Sequence, residues 1–298
     1  MTAELRPAAA ALIVGVPRSG TTLLRLMIDR HPLVAIPPET GFVAGLADRC
    51  MSQPDWYPTP HEFVDHVSNF PPDAPAWRDF SMTTDDLLND CLALDSFSVS
   101  QGLRCFYGRY ANGQGKHMWG DKTPTYGPHI ASIQRLLPEV RVVHIIRDGR
   151  DVAASLRQQW FAPSDQCDQL GTFWRDQILS TRHAATDVDH YLEIRYESLI
   201  LDTDQQLRLV CAHLDIPFDS AMLSYFQAAP TRLTEHHARY RKDGALVVSR
   251  QRRLVQQQWV TQPPSPERIG SWKTQLSDHD LAQFLSTAGP LLDDLGYQ

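Results

Sequence analysis

Short apolar runs separated by longer amphipathic stretches set the rhythm of this chain. Ala10 to Val16 is an almost unbroken apolar run, as expected of a parallel strand buried on both faces. Leu23, Leu24, Met27 and Ile28 then recur at helical spacing until His31-Pro32 ends the helix. Val34-Ala35-Ile36 predicts a second short strand, stopped by Pro37-Pro38, with Glu39-Thr40 just beyond. Met118 to Pro124 reads as a strand end followed by a loop, and Ile130 to Leu137 as a helix closed by Pro138. Arg141 to Ile146 is the clearest strand, and a helix through Ala153, Ala154 and Leu156 comes after it. Beyond that the pattern predicts a helix over 170–185, a strand from Tyr191 to Arg195 and an amphipathic helix from Leu207 to Leu214. A last helix over 278–295 has Leu281, Phe284, Leu285 and Leu291 on its apolar face.

Strands alternating with helices imply an α/β fold of three layers, a mostly parallel sheet flanked by helices. Ligands of such sheets bind at the carboxyl ends of the strands. The loop after the first strand, Glu39, Lys122, Arg147 and Tyr196 all fall just after predicted strands. No Gly/Ser linker divides the chain, so residues 1–298 are expected to form one domain. Residues 45–115 are expected to be an irregular insertion, with short helices over 50–82. Pro and aromatic residues crowd its 50–82 stretch, where they either line a pocket or pack locally.

The loop Gly15-Val16-Pro17-Arg18-Ser19-Gly20-Thr21-Thr22 carries the strongest chemical signal. Two glycines bracket four residues, and a hydroxyl follows, as in a phosphate-binding P-loop. Thr21 stands where a nucleotide triphosphatase carries the lysine that reaches the β- and γ-phosphates. Backbone N–H groups, a helix N-terminus and Arg18 still suit a phosphate-like anion. A second element, Arg147-Asp148-Gly149-Arg150-Asp151 with Ser155 eight residues after Arg147, offers a guanidinium fork and a hydroxyl for another phosphate.

Bulk properties narrow the choice. A formal charge of −7 and a pI near 5.9 disfavour a nucleic-acid partner. Against that acidic background, 231–253 holds seven Arg and Lys with only Glu235 and Asp243 opposing them. The basic segment over 231–268 therefore reads as a lid over an anionic ligand, a dock for an acidic acceptor, or a solvated charged face. Five widely spaced cysteines without a C-x-x-C pair suggest free thiols in a reducing, cytoplasmic compartment. The Ala8–Val16 run is too short to span a bilayer and reads as a strand rather than a signal peptide. No metal site is expected: His61, Glu62 and His66 lack the spacing of a helical zinc site, and His236-His237 has no clear partner.

Taken together, the two anion-binding elements resemble those of the sulfotransferase superfamily that uses 3′-phosphoadenylyl sulfate (PAPS). The resemblance extends through Asp121-Lys122-Thr123-Pro124, Arg195-Tyr196-Glu197-Ser198-Leu199, Ile269-Gly270-Ser271-Trp272-Lys273 and Leu295-Gly296-Tyr297. Gly15 to Glu39 is most similar to protein-tyrosine sulfotransferases. The resemblance implies a P-loop fold and a PAPS-dependent transferase that needs no metal. It implies that Pro17, Arg18, Ser19, Gly20, Thr21, Thr22 and Leu23 bind the 5′-phosphosulfate, and that Arg147 and Ser155 bind the 3′-phosphate. Tyr196, Ser271 and Lys273 are expected at the same donor. Glu39 carries over as catalytic base, Lys122 as the cation at the leaving oxygen, and Arg18 as a further catalytic cation. His31 is the rival base. Gly41 and Gln159 stand where the protein-tyrosine enzymes have arginines, one of which helps bind an acidic peptide. A small-molecule, lipid or glycan acceptor is therefore expected. A kinase or ATPase with an altered P-loop, and a non-catalytic nucleotide-binding module, remain as alternatives.

Overall fold

The computed structural model describes residues 10–297, so Ala8 and Ala9 of the first apolar run lie outside the described residues. Five strands form one sheet: β1 (Ala10–Val14), β2 (Val34–Ala35), β3 (Met118–Lys122), β4 (Val140–Ile146) and β5 (Tyr191–Arg195). Their order is β2-β3-β1-β4-β5, and every pairing is parallel. In β1 and β4, alternate side chains enter different cores, the period-two pattern of a sheet covered on both faces. Leu12, Val14 and Val142 meet Phe42, Phe106 and Tyr107 on one side. Ala11, Ile13, Val143 and Ile145 meet Leu24, Met27 and Leu207 on the other. A third cluster packs Trp174 and Phe284 against Ile146 and Val152.

The expected helices form over Thr21–Asp29, Ile130–Leu136, Gly149–Leu156, Cys167–Ala185, Thr203–Leu214 and Asp278–Asp294. Short helices do interrupt the 50–82 stretch, and the 45–115 region as a whole is more regular than an irregular insertion. It contains the end of Phe42–Ser52 and the helices Pro60–Ser68, Thr84–Leu92 and Val99–Gly113. Capping boxes at Thr59/Glu62 and Thr83/Asp86 start two of them. Three glycines obscure the helical signal of Val99–Gly113. Gly102 is required there, because a Cβ would come within 2.8 Å of the Phe63 ring. Most aromatic residues of this region pack locally, Phe63, Phe80, Phe106 and Tyr107 being buried, whereas Phe70 borders a cavity. A two-stranded hairpin, β6 (Arg239–Tyr240) and β7 (Leu246–Val248), lies in the basic segment. Among the described residues no helix is long and apolar enough to cross a membrane.

Gly149 opens the helix after β4, and a Cβ there would come within 2.6 Å of the Trp174 ring and 2.7 Å of Phe284. Gly149→Ala should therefore cost about 1–3 kcal/mol through overpacking. Gly108→Ala, where an added Cβ meets nothing within 4 Å, should stabilise by up to about 1 kcal/mol. Thermal midpoints that fail to move in opposite directions would contradict this packing.

Candidate active site

The loop after β1 is built by close approach. A Cβ on Gly15 would lie 2.5 Å from the Ile145 carbonyl oxygen, and one on Gly20 would lie 2.5 Å from the Tyr196 ring. The chain turns through positive φ at Arg18 (77°) and Gly20 (95°), closed by Ser19 N–H donating to the Val16 carbonyl at 3.0 Å. The helix that follows has no side-chain cap and no acid in its first turn. Its first N–H groups are thus available to an anion.

Arg147 leaves the end of β4 and grips this loop. Its Nη1 donates to the Arg18 carbonyl at 3.1 Å, its Nη2 to the Arg268 carbonyl at 2.6 Å, and the guanidinium lies 4.4 Å over Tyr196. Arg147 Nε and Ser19 Oγ are buried without a hydrogen-bond partner. Arg18 Nε donates to Ser155 Oγ at 3.1 Å. Burial, together with the neighbouring cations Arg268 and Arg147, pushes the Arg18 pKa down to about 10. Crowded guanidiniums of this kind gain from a polyanionic partner. They border a cavity of about 420 Å³ that Tyr225 and Trp259 also line.

Ser271 and Lys273 line neither this cavity nor its neighbour. The buried Asp151 carboxylate accepts from Gly270 N, Ser271 Oγ and Trp272 N at 2.9, 3.1 and 2.9 Å, which turns Ser271 inward. Lys273 lies beside the Trp272 ring. Arg268 faces the cavity instead. Its sequence signal was weak: a lone arginine among prolines, just before Ile269-Gly270.

A second cavity, of about 970 Å³, shares Arg18, Thr21, Thr22, Gln256 and Gln257 with the first. Pro17, Glu39 and Lys122 line it. Lys122 ends β3, and its buried Nζ donates to Thr22 Oγ1 at 3.2 Å and to Glu39 Oε1 in a very short ion pair. Glu39 itself keeps 51% of its side-chain surface open to the cavity. Burial opposes its charge, but Lys122, then Arg253 and Arg239, outweigh that and hold its pKa below the usual carboxylate range. Burial also lowers the Lys122 pKa, against the pull of Glu39.

The residues next to this pair fix it. Thr40 Oγ1 and Tyr107 OH both donate to Asp121 Oδ2, at 2.6 and 2.7 Å. Tyr126 OH, 2.9 Å from Thr40 Oγ1, accepts from Val43 N–H at 2.9 Å. The strand ends carrying Glu39 and Lys122 are thereby tied together. His31 lines neither cavity. Its Nε2 faces the Pro217 carbonyl at 2.9 Å, and its Nδ1 accepts from Leu33 N–H at 3.1 Å. Among the described residues no group of three or more His, Cys, Asp or Glu is placed to hold a metal ion.

An anion loop and strand-end cations at the edge of a parallel sheet, beside a paired carboxylate and lysine, define a group-transfer site of the P-loop type. A match to the sulfotransferase family spans residues 11–220, and the chain belongs to that family. Protein-tyrosine sulfotransferase 1 of Danio rerio is 25% identical over 96% of this chain and 71% of its own length. The nodulation protein NoeE of Sinorhizobium fredii is 25% identical over 96% of this chain and 65% of its own length. The sulfotransferase domain of the Synechococcus PCC 7002 olefin synthase shares the fold, with a TM-score of 0.59 and 20% identity over 95% of this chain and 94% of that one. The sulfotransferase domain of the curacin biosynthetic pathway has a TM-score of 0.58 and 15% identity, over 98% and 99% of the two chains.

Replacing Lys122 by Met removes the strongest charge that favours the Glu39 carboxylate. The Glu39 pKa should then rise, as followed by carboxyl NMR titration. An unchanged titration would contradict the ion pair.

Proposed function

We propose that this sulfotransferase moves the sulfuryl group of PAPS to a hydroxyl or amine of a small-molecule, lipid or glycan acceptor. The observation that carries this reading is the meeting of two cavities at Arg18, Thr21 and Thr22, with Lys122 and Glu39 beside the junction. The smaller cavity suits the donor. Pro17 to Leu23 hold the 5′-phosphosulfate through loop amides, Arg18 and the two threonines. Arg147 and Ser155, joined by Arg268, hold the 3′-phosphate. Tyr196, Tyr225 and Trp259 surround the purine.

The reaction is an in-line displacement. An acceptor oxygen or nitrogen bonds to sulfur while the bond between sulfur and the bridging phosphate oxygen breaks, leaving 3′-phosphoadenosine 5′-phosphate. Glu39 takes the acceptor proton, a contribution of roughly 10²–10⁴ in rate. Lys122 and Arg18 offset the charge that grows on the departing oxygen, worth roughly 10²–10³. Positioning supplies the rest. A kinase or ATPase reading lacks support, since Thr21 takes the place of the P-loop lysine.

Gly41 supports a small acceptor. It sits at a φ of 74°, and a Cβ there would lie 2.7 Å from the Phe70 ring. The arginine that the protein-tyrosine pattern has at this place would therefore collide with Phe70, and an acidic peptide would lose that anchor. The segment 231–268 acts as a lid in this reading, because it supplies walls to both cavities. The odd number and wide spacing of the cysteines support a reducing, cytoplasmic setting. Residues 1–298 act as one sulfotransferase domain.

Glu39→Gln should cut turnover by about 10²–10⁴ while leaving the affinity for 3′-phosphoadenosine 5′-phosphate nearly unchanged. Turnover like that of the unaltered enzyme would remove Glu39 from the base role. Metal-free 3′-phosphoadenosine 5′-phosphate at a hundredfold excess over its Kd should stabilise the protein by about 2.7 kcal/mol, and Mg-ATP should not. The reverse pattern in thermal unfolding would end the PAPS reading.

A further inference from the structure

The larger cavity has two unlike walls. Leu156, Trp160, Phe161, Pro163 and Phe173 form an apolar one, in which Trp160 keeps 42% of its surface exposed. The other comes from 236–253 and presents His236, Arg239, Arg241 and Arg253. The charges on this second wall do not cancel. Asp79, 1% exposed, lies beneath it and accepts from Arg239 Nη2 at 2.9 Å. The same carboxylate accepts from Arg253 Nη1 and Nη2 at 3.1 and 2.8 Å. One carboxylate thus serves two guanidiniums. Glu39 is already matched by Lys122, and Arg25 by Glu235 at 3.1 Å. Asp73 is the one other carboxylate lining this cavity among the described residues, and it is exposed. A positive charge is left over.

That surplus has a donor attached to it. Arg239 Nε is buried and has no hydrogen-bond partner. Its Nη1 donates to the Ala74 carbonyl at 3.3 Å, so the guanidinium is held in place while one N–H stays unused. His236 stands beside it, 8% exposed, with Nδ1 3.3 Å from Arg253 Nη2. Burial and the cations Arg253 and Arg25 push its pKa down to about 2, so it adds a neutral ring rather than a charge. Buried donors left unpaired are costly, and a charged acceptor group is the partner that offsets most of that cost.

We propose that the acceptor is a compact amphipathic molecule bearing an anionic group, a carboxylate or its equivalent, besides the atom that receives the sulfuryl group. The anion meets the Arg239 and Arg241 wall, and the apolar body lies along Trp160, Phe161 and Phe173. This assignment rests on the sulfuryl-transfer reading and adds the substrate class. Arg239, Arg253 and Glu39 line the same cavity, so the anionic group and the reacting atom belong to one site.

Binding without turnover tests this directly. Decanoate and 3-phenylpropionate are compared with their methyl esters by calorimetry, on protein saturated with 3′-phosphoadenosine 5′-phosphate. Each acid should bind about tenfold or more tightly than its ester, the scale of one charge-assisted hydrogen bond. Arg241→Gln, which alters an exposed side chain, should shrink that preference, and adding Arg239→Gln should abolish it. Trp160→Ala should weaken acid and ester alike. Retained affinity for 3′-phosphoadenosine 5′-phosphate shows that each variant is folded. Esters that bind as well as acids, or an acid preference that survives the double variant, would overturn the proposal. So would an acidic tyrosine-containing peptide that binds more tightly than either small acid. Failure of 3′-phosphoadenosine 5′-phosphate to stabilise the unaltered protein would instead undo the sulfuryl-transfer reading itself.

Discussion

The parallel pairing of β1 with both β3 and β4 is the constraint on which the site depends. Ile13 lies opposite Lys122, and Val14 opposite His144, so the three strands end on one edge at nearly one level. The anion loop therefore emerges between Lys122 on one side and Arg147 on the other. An antiparallel neighbour would carry its chemical group to the far edge. This register also accounts for the loop's missing lysine: Lys122 reaches Thr22 Oγ1 from the adjacent strand, so a cation stands at the loop without belonging to it.

Two buried carboxylates organise the second half of the chain around that edge. Asp151 draws in Gly270, Ser271 and Trp272 and lies 3.5 Å from Arg147. Asp79 does the same for Arg239, Arg253 and the His237 backbone N–H. Burying a carboxylate is unfavourable unless it is fully paired, and removing one partner leaves an uncompensated charge. Arg232, Arg239 and Arg253 of the basic segment are thus held by specific anions, while Arg241, Lys242, Arg250 and Arg252 are exposed.

Much of this was legible in the residue pattern, and the reasons are local. The short apolar runs of β1 and β4 suit strands buried on both faces, and loop residues at their ends inherit a fixed position. Glu39, Lys122 and Arg147 could be placed for that reason. The helix Val99–Gly113 could not, because three glycines weaken its local signal and one of them, Gly102, serves a tertiary contact with Phe63 that no local rule reveals. Asp79 was hidden for a similar reason: its partners lie some 160 positions away. Ser271 shows the converse, a residue in a motif-like stretch whose hydroxyl is committed to Asp151.

The division of labour between Asp151 and Asp79 bears on how such an enzyme changes its diet. Asp151 lies beside Arg147 of the smaller cavity and Asp79 holds Arg239 and Arg253 of the larger, and the two carboxylates share none of their hydrogen-bond partners. Residues 70–80 and 236–253 form a matched pair around Asp79. Exchange of either half alone strands a charge in the interior. Change at this wall is therefore coupled across two stretches far apart in the sequence.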